Sequence, residues 1–66
     1  MSVDKLLNVE IRRNTELVSR FTEWWLAIDA ASSLSELLPR DRIDVHDTVT
    51  GSRRVYRKGE KVFPID

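Results

Sequence analysis

The residues from Val3 to Ala31 contain neither proline nor glycine, and their apolar side chains recur at alternating steps of three and four. This spacing is typical of an amphipathic helix, because residues three and four apart lie on the same side of a helix. The sequence therefore predicts one long helix over residues 3–31, with a coiled-coil-like apolar stripe. The stripe, with one polar member, consists of Leu7, Ile11, Asn14, Val18, Phe21, Trp24, Trp25 and Ile28.

Asn14 interrupts this stripe and is followed by Thr15, so two interpretations of the segment are open. A continuous helix would be roughly 42 Å long, whereas a compact domain of this length is only about 28 Å across. Such a helix would need a second subunit or a partner to cover its stripe, and Asn14 would then fix the register of the pairing. If the chain breaks at Asn14, a helical hairpin forms instead. The continuous helix is the favoured prediction.

A second, shorter helix is predicted after the pair Ser32 and Ser33. The run from Ser33 to Glu36 matches a capping box, in which the glutamate side chain reaches back to the amide of the first residue. Pro39 disfavours helical geometry at the preceding residue and ends the helix. The short helix is therefore expected over residues 33–38.

Beyond residue 42 the apolar residues alternate with polar ones, which is typical of half-buried strands. Lys58 and Gly59 match a two-residue hairpin turn, and Pro64 indicates an edge strand because it lacks an amide donor. The expected pairs across this turn are Arg57 with Glu60, Tyr56 with Lys61, Val55 with Val62, and Arg54 with Phe63. The predicted fold is a single α+β domain over residues 1–66: a long N-terminal amphipathic helix, a short second helix, and a C-terminal three-stranded antiparallel β-meander over residues 43–65.

Composition excludes several classes of protein. The 66 residues include no cysteine and one histidine, which excludes disulfides and a structural zinc site of the usual type. Eleven basic and eleven acidic side chains give a net charge of zero, so any attraction to nucleic acid has to be local. Charged residues interrupt every apolar stretch before it reaches membrane-spanning length. We expect a cytoplasmic protein with no membrane contact and no cofactor.

A small core of this kind often needs help from oligomerisation. The sequence therefore predicts a non-enzymatic protein–protein interaction or assembly module that self-associates through its N-terminal helix, with a dimer favoured. A further protein partner is expected, as for a small regulator or inhibitor. Trp24 and Trp25 point about 100° apart on a helix, so one ring should be covered by the rest of the domain or by a partner.

The alternative prediction is a dimeric nucleic-acid-binding regulator. Residues 53–61 are strongly basic, and a basic hairpin with an aromatic residue can contact phosphates and stack on bases. The competing interpretation is a sheet edge protected by charge. His46, near Asp44 and Asp47, is expected to be solvent-exposed rather than a metal ligand or a general base. The candidate nucleic-acid contacts are Arg53, Arg54, Tyr56, Arg57, Lys58 and Lys61.

Overall fold

A computed structural model describes residues 7–65 as a five-stranded antiparallel sheet with one helix packed on one of its faces. The strand order across the sheet is β2-β1-β3-β4-β5, so the first strand lies between the second and third. The elements are β1 (Val9–Arg13), β2 (Glu16–Phe21), α1 (Trp24–Leu37), β3 (Ile43–Asp47), β4 (Arg53–Arg57) and β5 (Glu60–Phe63).

The predicted N-terminal helix is wrong over the described residues, and its first positions, 3–6, lie outside them. Val9 and Ile11 are buried while the residues between and after them are not, which is the period of two that a strand requires. Asn14 and Thr15 have φ angles of 49° and 80° and form a tight turn between β1 and β2. The segment is therefore a β-hairpin, and the helix begins only at Trp24.

The separate short helix predicted over residues 33–38 is also wrong, because α1 continues through Ser32 and Ser33. Ser35 is fully buried, and its hydroxyl donates to the carbonyl of Ser32 at 3.0 Å. The same hydroxyl oxygen accepts a 2.7 Å hydrogen bond from the amide of Gly59. The polar side chain thus has partners inside the domain, which explains how a serine-rich stretch stays helical.

The last three strands lie where strands were predicted, but they belong to the five-stranded sheet and do not form a separate meander. The turn at Lys58 and Gly59 is confirmed, since these residues have φ angles of 54° and 78°. β5 is an edge strand, as predicted. The pairs Arg57–Glu60 and Tyr56–Lys61 are confirmed, whereas the pairs Val55–Val62 and Arg54–Phe63 are wrong because a register shift at Val62 pairs Val55 with Phe63.

The core lies between α1 and the centre of the sheet. Alanine methyl groups let a helix lie close to a sheet, so α1 packs tightly on β1 and β3 without large side chains of its own at the centre. No coiled coil forms within residues 7–65, since the helix there is used against its own sheet. None of that part of the chain forms a helix long and apolar enough to cross a bilayer. The fully buried apolar residues are Val9, Ile11, Ala27, Ala31, Ile43 and Val45.

A buried carboxylate holds the loop between β3 and β4. Oδ1 of Asp47 accepts hydrogen bonds from the amides of Val49 (2.9 Å) and Thr50 (3.1 Å) and from the side-chain amide of Asn8 (2.9 Å). Since these bonds favour the charged form, they lower the pKa of Asp47 below its usual value, with the amide of Thr50 as the largest cause. Asp47 therefore connects the loop to the start of β1.

We expect the free energy of unfolding to fall in acid because of Asp47. A carboxylate whose pKa is lower in the folded state stabilises the fold above its unfolded pKa, about 3.9, and this contribution is lost as the pH falls through the folded pKa. Asp47→Asn should be less stable than the wild type at pH 7, and the difference should shrink as the pH approaches 2. Urea unfolding at several pH values measures this. Asp29→Asn, on the exposed side of α1, is the control, and a pH-independent deficit in Asp47→Asn would contradict the assignment.

Candidate functional site

The face of the sheet that α1 does not cover carries rows of side chains across the strands, and two of these rows form the candidate site. Directly opposed residues of antiparallel strands place their side chains on the same face, so the register defines each row. The first row consists of Arg20, Glu10, His46 and Arg53. The second row consists of Leu17, Arg12, Asp44, Val55 and Phe63. We call these nine residues the open face.

Glu10 is the acidic residue of the first row, and two arginines surround it. One carboxylate oxygen lies 3.1 Å from Nη2 of Arg12, and the other lies 3.7 Å from Nε of Arg20. Both arginine side chains remain about half exposed. One negative charge is therefore shared between two guanidinium groups that still reach solvent.

Asp44 is the acidic residue of the second row and also has two arginine neighbours. Its Oδ2 lies 3.3 Å from Nε of Arg42, and its Oδ1 lies 3.9 Å from Nη2 of Arg53. The second distance is too long for a hydrogen bond, and Oδ1 is a buried atom without a hydrogen-bond partner. Three guanidinium groups of the open face, with that of the adjacent Arg42, meet two carboxylates, so this side of the sheet has a surplus of positive charge.

A shallow cavity of about 390 Å³ lies on the open face and extends to the turn between β1 and β2. Guanidinium and hydroxyl groups supply hydrogen-bond donors in it, and a carboxylate supplies an acceptor. The cavity therefore fits an anionic group that accepts from arginine, next to a group that can donate to Asp44. Its lining residues are Arg12, Thr15, Asp44, His46 and Arg53.

Thr15 has a backbone conformation that is unusual for its type. The two hairpin turns have the same form, with positive φ at both central residues, and the second central residue is Gly59 in one and Thr15 in the other. Glycine adopts this conformation readily, whereas a β-branched residue is strained there. The carbonyl of Thr15 accepts a 3.1 Å hydrogen bond from Nη1 of Arg12. The strained residue is thus joined to an arginine of the cavity.

We expect Thr15→Gly to stabilise the protein by about 1 kcal/mol, because it removes the strain of a β-branched residue at positive φ. The gain in stability is smaller than the strain energy that is removed, since glycine also increases the conformational entropy of the unfolded chain. Urea unfolding of the variant against the wild type measures the difference. Thr48→Gly, in an exposed turn where φ is not positive, should not be stabilising. If Thr15→Gly were less stable than the wild type, the stabilising contacts of the Thr15 side chain would outweigh its backbone strain.

A second surface lies on the opposite side of the domain, where α1 faces solvent. Its six exposed residues include three large apolar side chains and two carboxylates, and the segment 22–38 contains no lysine or arginine. The largest member, Trp25, is 65% exposed, and the last, Leu37, is 77% exposed. We call this set the helix outer face: Trp25, Leu26, Asp29, Ser33, Glu36 and Leu37.

The structure does not bring the predicted interface stripe together on one surface. Ile11 is buried in the sheet, and Asn14 is in the first turn, where its side chain bonds Asp41 and the amide of Arg42. Three members pack partly buried against the core: Phe21, Trp24 and Ile28. Three members are exposed: Leu7, Val18 and Trp25. The two neighbouring tryptophans are thus separated, one towards the core and one towards solvent.

The predicted basic hairpin is likewise divided between the two faces of the sheet. Arg53 lies on the open face, but Arg54 and Tyr56 lie on the side of α1. The guanidinium carbon of Arg54 is 5.8 Å from the centroid of the Trp24 ring, and its Nη1 donates to the hydroxyl of Tyr56 at 3.4 Å. The remaining three, Arg57, Lys58 and Lys61, are exposed around the second hairpin turn. Residues 53–61 therefore do not form a single basic surface.

Sequence reasoning missed the part of the open face that comes from β1 and β2. The signal is present, because apolar and charged residues alternate from Val9 to Arg13, but the helical spacing of the longer segment obscures it. His46 lies on the polar side of a strand as predicted, but it is half-buried and not fully exposed to solvent. The missed residues are Glu10, Arg12, Thr15, Leu17 and Arg20.

Within residues 7–65 no group of three or more histidine, aspartate or glutamate side chains is arranged to hold a metal ion. His46 has Glu10 and Arg53 as its direct neighbours in the row, and both are engaged in ion pairs. Comparison with known proteins gives no further assignment: no family model matches the chain, and neither the curated proteins nor the solved structures contain a significant match.

Proposed function

We propose that this protein is a small, non-enzymatic protein–protein interaction module that binds its partner through the helix outer face. The observation that carries the proposal is Trp25, which is 65% exposed at the start of α1 although tryptophan is the largest side chain. Tryptophan is enriched among the residues that dominate binding energy at protein interfaces. The lack of cysteine is in keeping with a cytoplasmic module, such as a regulator or an inhibitor.

Other apolar side chains extend the surface along the helix. Leu26 lies beside Trp25. Leu37 lies twelve residues after Trp25, which is about 18 Å along the helix axis. Leu37 also borders a cavity of about 320 Å³ that continues into residues 38–41. The solvent side of a helix is usually charged or polar. Apolar residues at both ends of this face favour docking in the groove or onto the surface of another protein.

The charge of the helix outer face indicates what kind of partner it fits. Asp29 and Glu36 are its charged groups, and no basic residue accompanies them in α1. Two copies paired helix to helix would bring these carboxylates together, which disfavours a symmetric dimer through this face. A protein surface rich in lysine or arginine fits better, because it pairs with the carboxylates and can place a cation over the ring of Trp25.

A photo-crosslinking residue in place of Leu26, in cells of the natural source, tests the proposal directly. We expect one basic protein to be captured, and we expect Trp25→Ala to weaken binding of that purified partner by at least about 30-fold, the loss typical of a central interface tryptophan. Val49→Ala, which changes another exposed apolar residue, is the matched control and should bind as the wild type does. Equal binding by Trp25→Ala, or no captured protein, would contradict the proposal. Sedimentation of the protein alone tests the predicted self-association at the same time.

The neighbouring tryptophan separates loss of binding from loss of fold. Trp25→Ala should change the free energy of unfolding by no more than about 0.5 kcal/mol because the side chain is on the surface. Trp24→Ala should lower it by about 2 kcal/mol, since that ring packs against the core and Arg54. Thermal or urea unfolding of the two variants measures this contrast. If Trp25→Ala were the more destabilising change, its effect on binding could not be assigned to an interface.

A further inference from the structure

We propose that the open face binds single-stranded nucleic acid, with its cavity holding a backbone phosphate and Phe63 offering its ring to a base. This surface lies on the opposite side of the sheet from the helix outer face, so the inference does not rest on the function proposed above. It also differs from the basic hairpin predicted from the sequence, because Arg54 and Tyr56 of that hairpin lie on the side of α1.

The first support is the separation of charge across the domain. The net charge is zero, yet the charged residues of segment 22–38 are all acidic. The opposite side of the sheet has four arginines around two carboxylates. A neutral chain can therefore direct a positive face towards phosphates and an acidic face away from them.

The second support is the set of groups in the cavity. Arg53 holds Asp44 only loosely, at 3.9 Å, so its guanidinium donors can turn to a phosphate. Asp44 also lines the cavity and brings a carboxylate to it. A carboxylate can accept a hydrogen bond from the amino group of a nucleobase, as it does from cytosine. A strand of nucleic acid carries both groups, the phosphate and the amino-bearing base.

The third support is the strain at Thr15, which is one of the residues that line the cavity. A strained backbone conformation is retained where the residue has a functional role, and such residues are concentrated at binding sites. The equivalent turn position elsewhere in the chain is Gly59, so the fold itself requires no threonine there. The hydroxyl of Thr15 is well suited to donate to a phosphate oxygen.

The distribution of apolar groups favours nucleic acid over protein as the ligand of this face. Its centre is charged, because Glu10, Arg12 and Asp44 lie there, whereas the centres of protein interfaces are depleted in charge. Nucleic-acid interfaces are polar and positively charged. Phe63, at the far end of the second row, is 48% exposed and lies three strand spacings from Arg12, roughly 14 Å. An extended strand could contact both residues.

The test uses fluorescence anisotropy with labelled 12-nucleotide DNA and RNA of mixed sequence, single-stranded and duplex, at about 20 and 200 mM salt. We expect single strands to bind at low salt, with log K falling against log salt by about 0.7 for each phosphate contacted. Arg20→Gln with Arg53→Gln should weaken binding at least tenfold and flatten the salt slope. Both carboxylates keep another arginine in this variant, so the fold is retained. Arg13→Gln with Arg40→Gln removes the same charge away from the open face, leaves Asp41 its bond from Asn14, and should bind normally.

Thr15→Gly gives a readout that a purely structural role would not produce. It should weaken binding about fivefold, the effect of one hydrogen bond, while the fold becomes more stable. No binding of single strands at low salt would overturn the proposal, as would an equal loss in the Arg13 and Arg40 variant. Light scattering completes the test: a doubled mass that Arg20→Gln with Arg53→Gln abolishes, without any anisotropy change, would assign the open face to a second copy of the chain instead.

Discussion

Ile11→Ala should lower the free energy of unfolding by about 3 kcal/mol. Ile11 is 2% exposed and lies at the centre of the sheet, directly between Ser19 of β2 and Val45 of β3. Removing its three outer carbons leaves a cavity under α1 that the surrounding strands cannot close. A domain of this size is stable by roughly 3–10 kcal/mol, so the variant should lose between about a third and all of its stability.

Val18→Ala is the control that also distinguishes the two folds. Residues 11 and 18 are seven apart, so in a helix over residues 3–31 they would share one heptad position and similar burial. In the sheet Val18 is 50% exposed at a bulge on an edge strand, and its truncation should change stability by no more than about 0.5 kcal/mol. Urea unfolding of both variants measures the ratio. Equal losses would contradict the hairpin and favour the helix.

The C-terminal strands could be predicted because their signals are local. Alternation from Ile43 onwards and the turn at Lys58 and Gly59 each involve residues that are neighbours in the chain. The register next to the turn followed for the same reason. The predicted register is wrong from Val62 onwards, because a bulge depends on how the strand packs and not on the residues beside the turn.

The N-terminal half could not be read correctly from its spacing. The apolar residues Val9 and Ile11 fit a strand, but Ile11, Val18 and Phe21 also fit one side of a helix. The decisive feature is the turn at Asn14 and Thr15, and it lacks the glycine by which such turns are usually recognised. Without that signal, the absence of proline and glycine favoured the helix.

The candidate site was even less accessible to sequence reasoning, because it depends on pairing over long distances. β1 is separated from β3 by a strand and a helix, yet Glu10 lies opposite His46 and Arg12 lies opposite Asp44. No local pattern specifies that pairing. By contrast, the sequence does predict that one of the two tryptophans is not covered by the core. Two adjacent tryptophans on a helix cannot both face one core, and this is true of the predicted helix and of α1.

Gly59→Ala should destabilise the protein by about 3 kcal/mol, much more than the same change at Gly51. Both glycines have φ near 80°, where alanine costs about 1 kcal/mol. A methyl group at residue 51 would meet nothing within 4 Å, whereas one at residue 59 would overlap the side chain of Glu36 in α1. The additional cost, about 2 kcal/mol, is that of overpacking. Urea unfolding of the two variants measures the difference.

Two serines of α1 explain why the hairpin cannot simply move away from the added methyl group. The amide of Gly59 donates to Ser35 at 2.7 Å, and its carbonyl accepts from Ser32 at 3.5 Å, so a shift of the turn would leave the Gly59 amide without its buried partner. Glu36→Ala should therefore rescue most of the extra loss in Gly59→Ala and have no effect on Gly51→Ala. Such coupling is expected only between residues in contact. Additive effects of the Glu36 and Gly59 changes would mean that the second hairpin is not held against the end of α1.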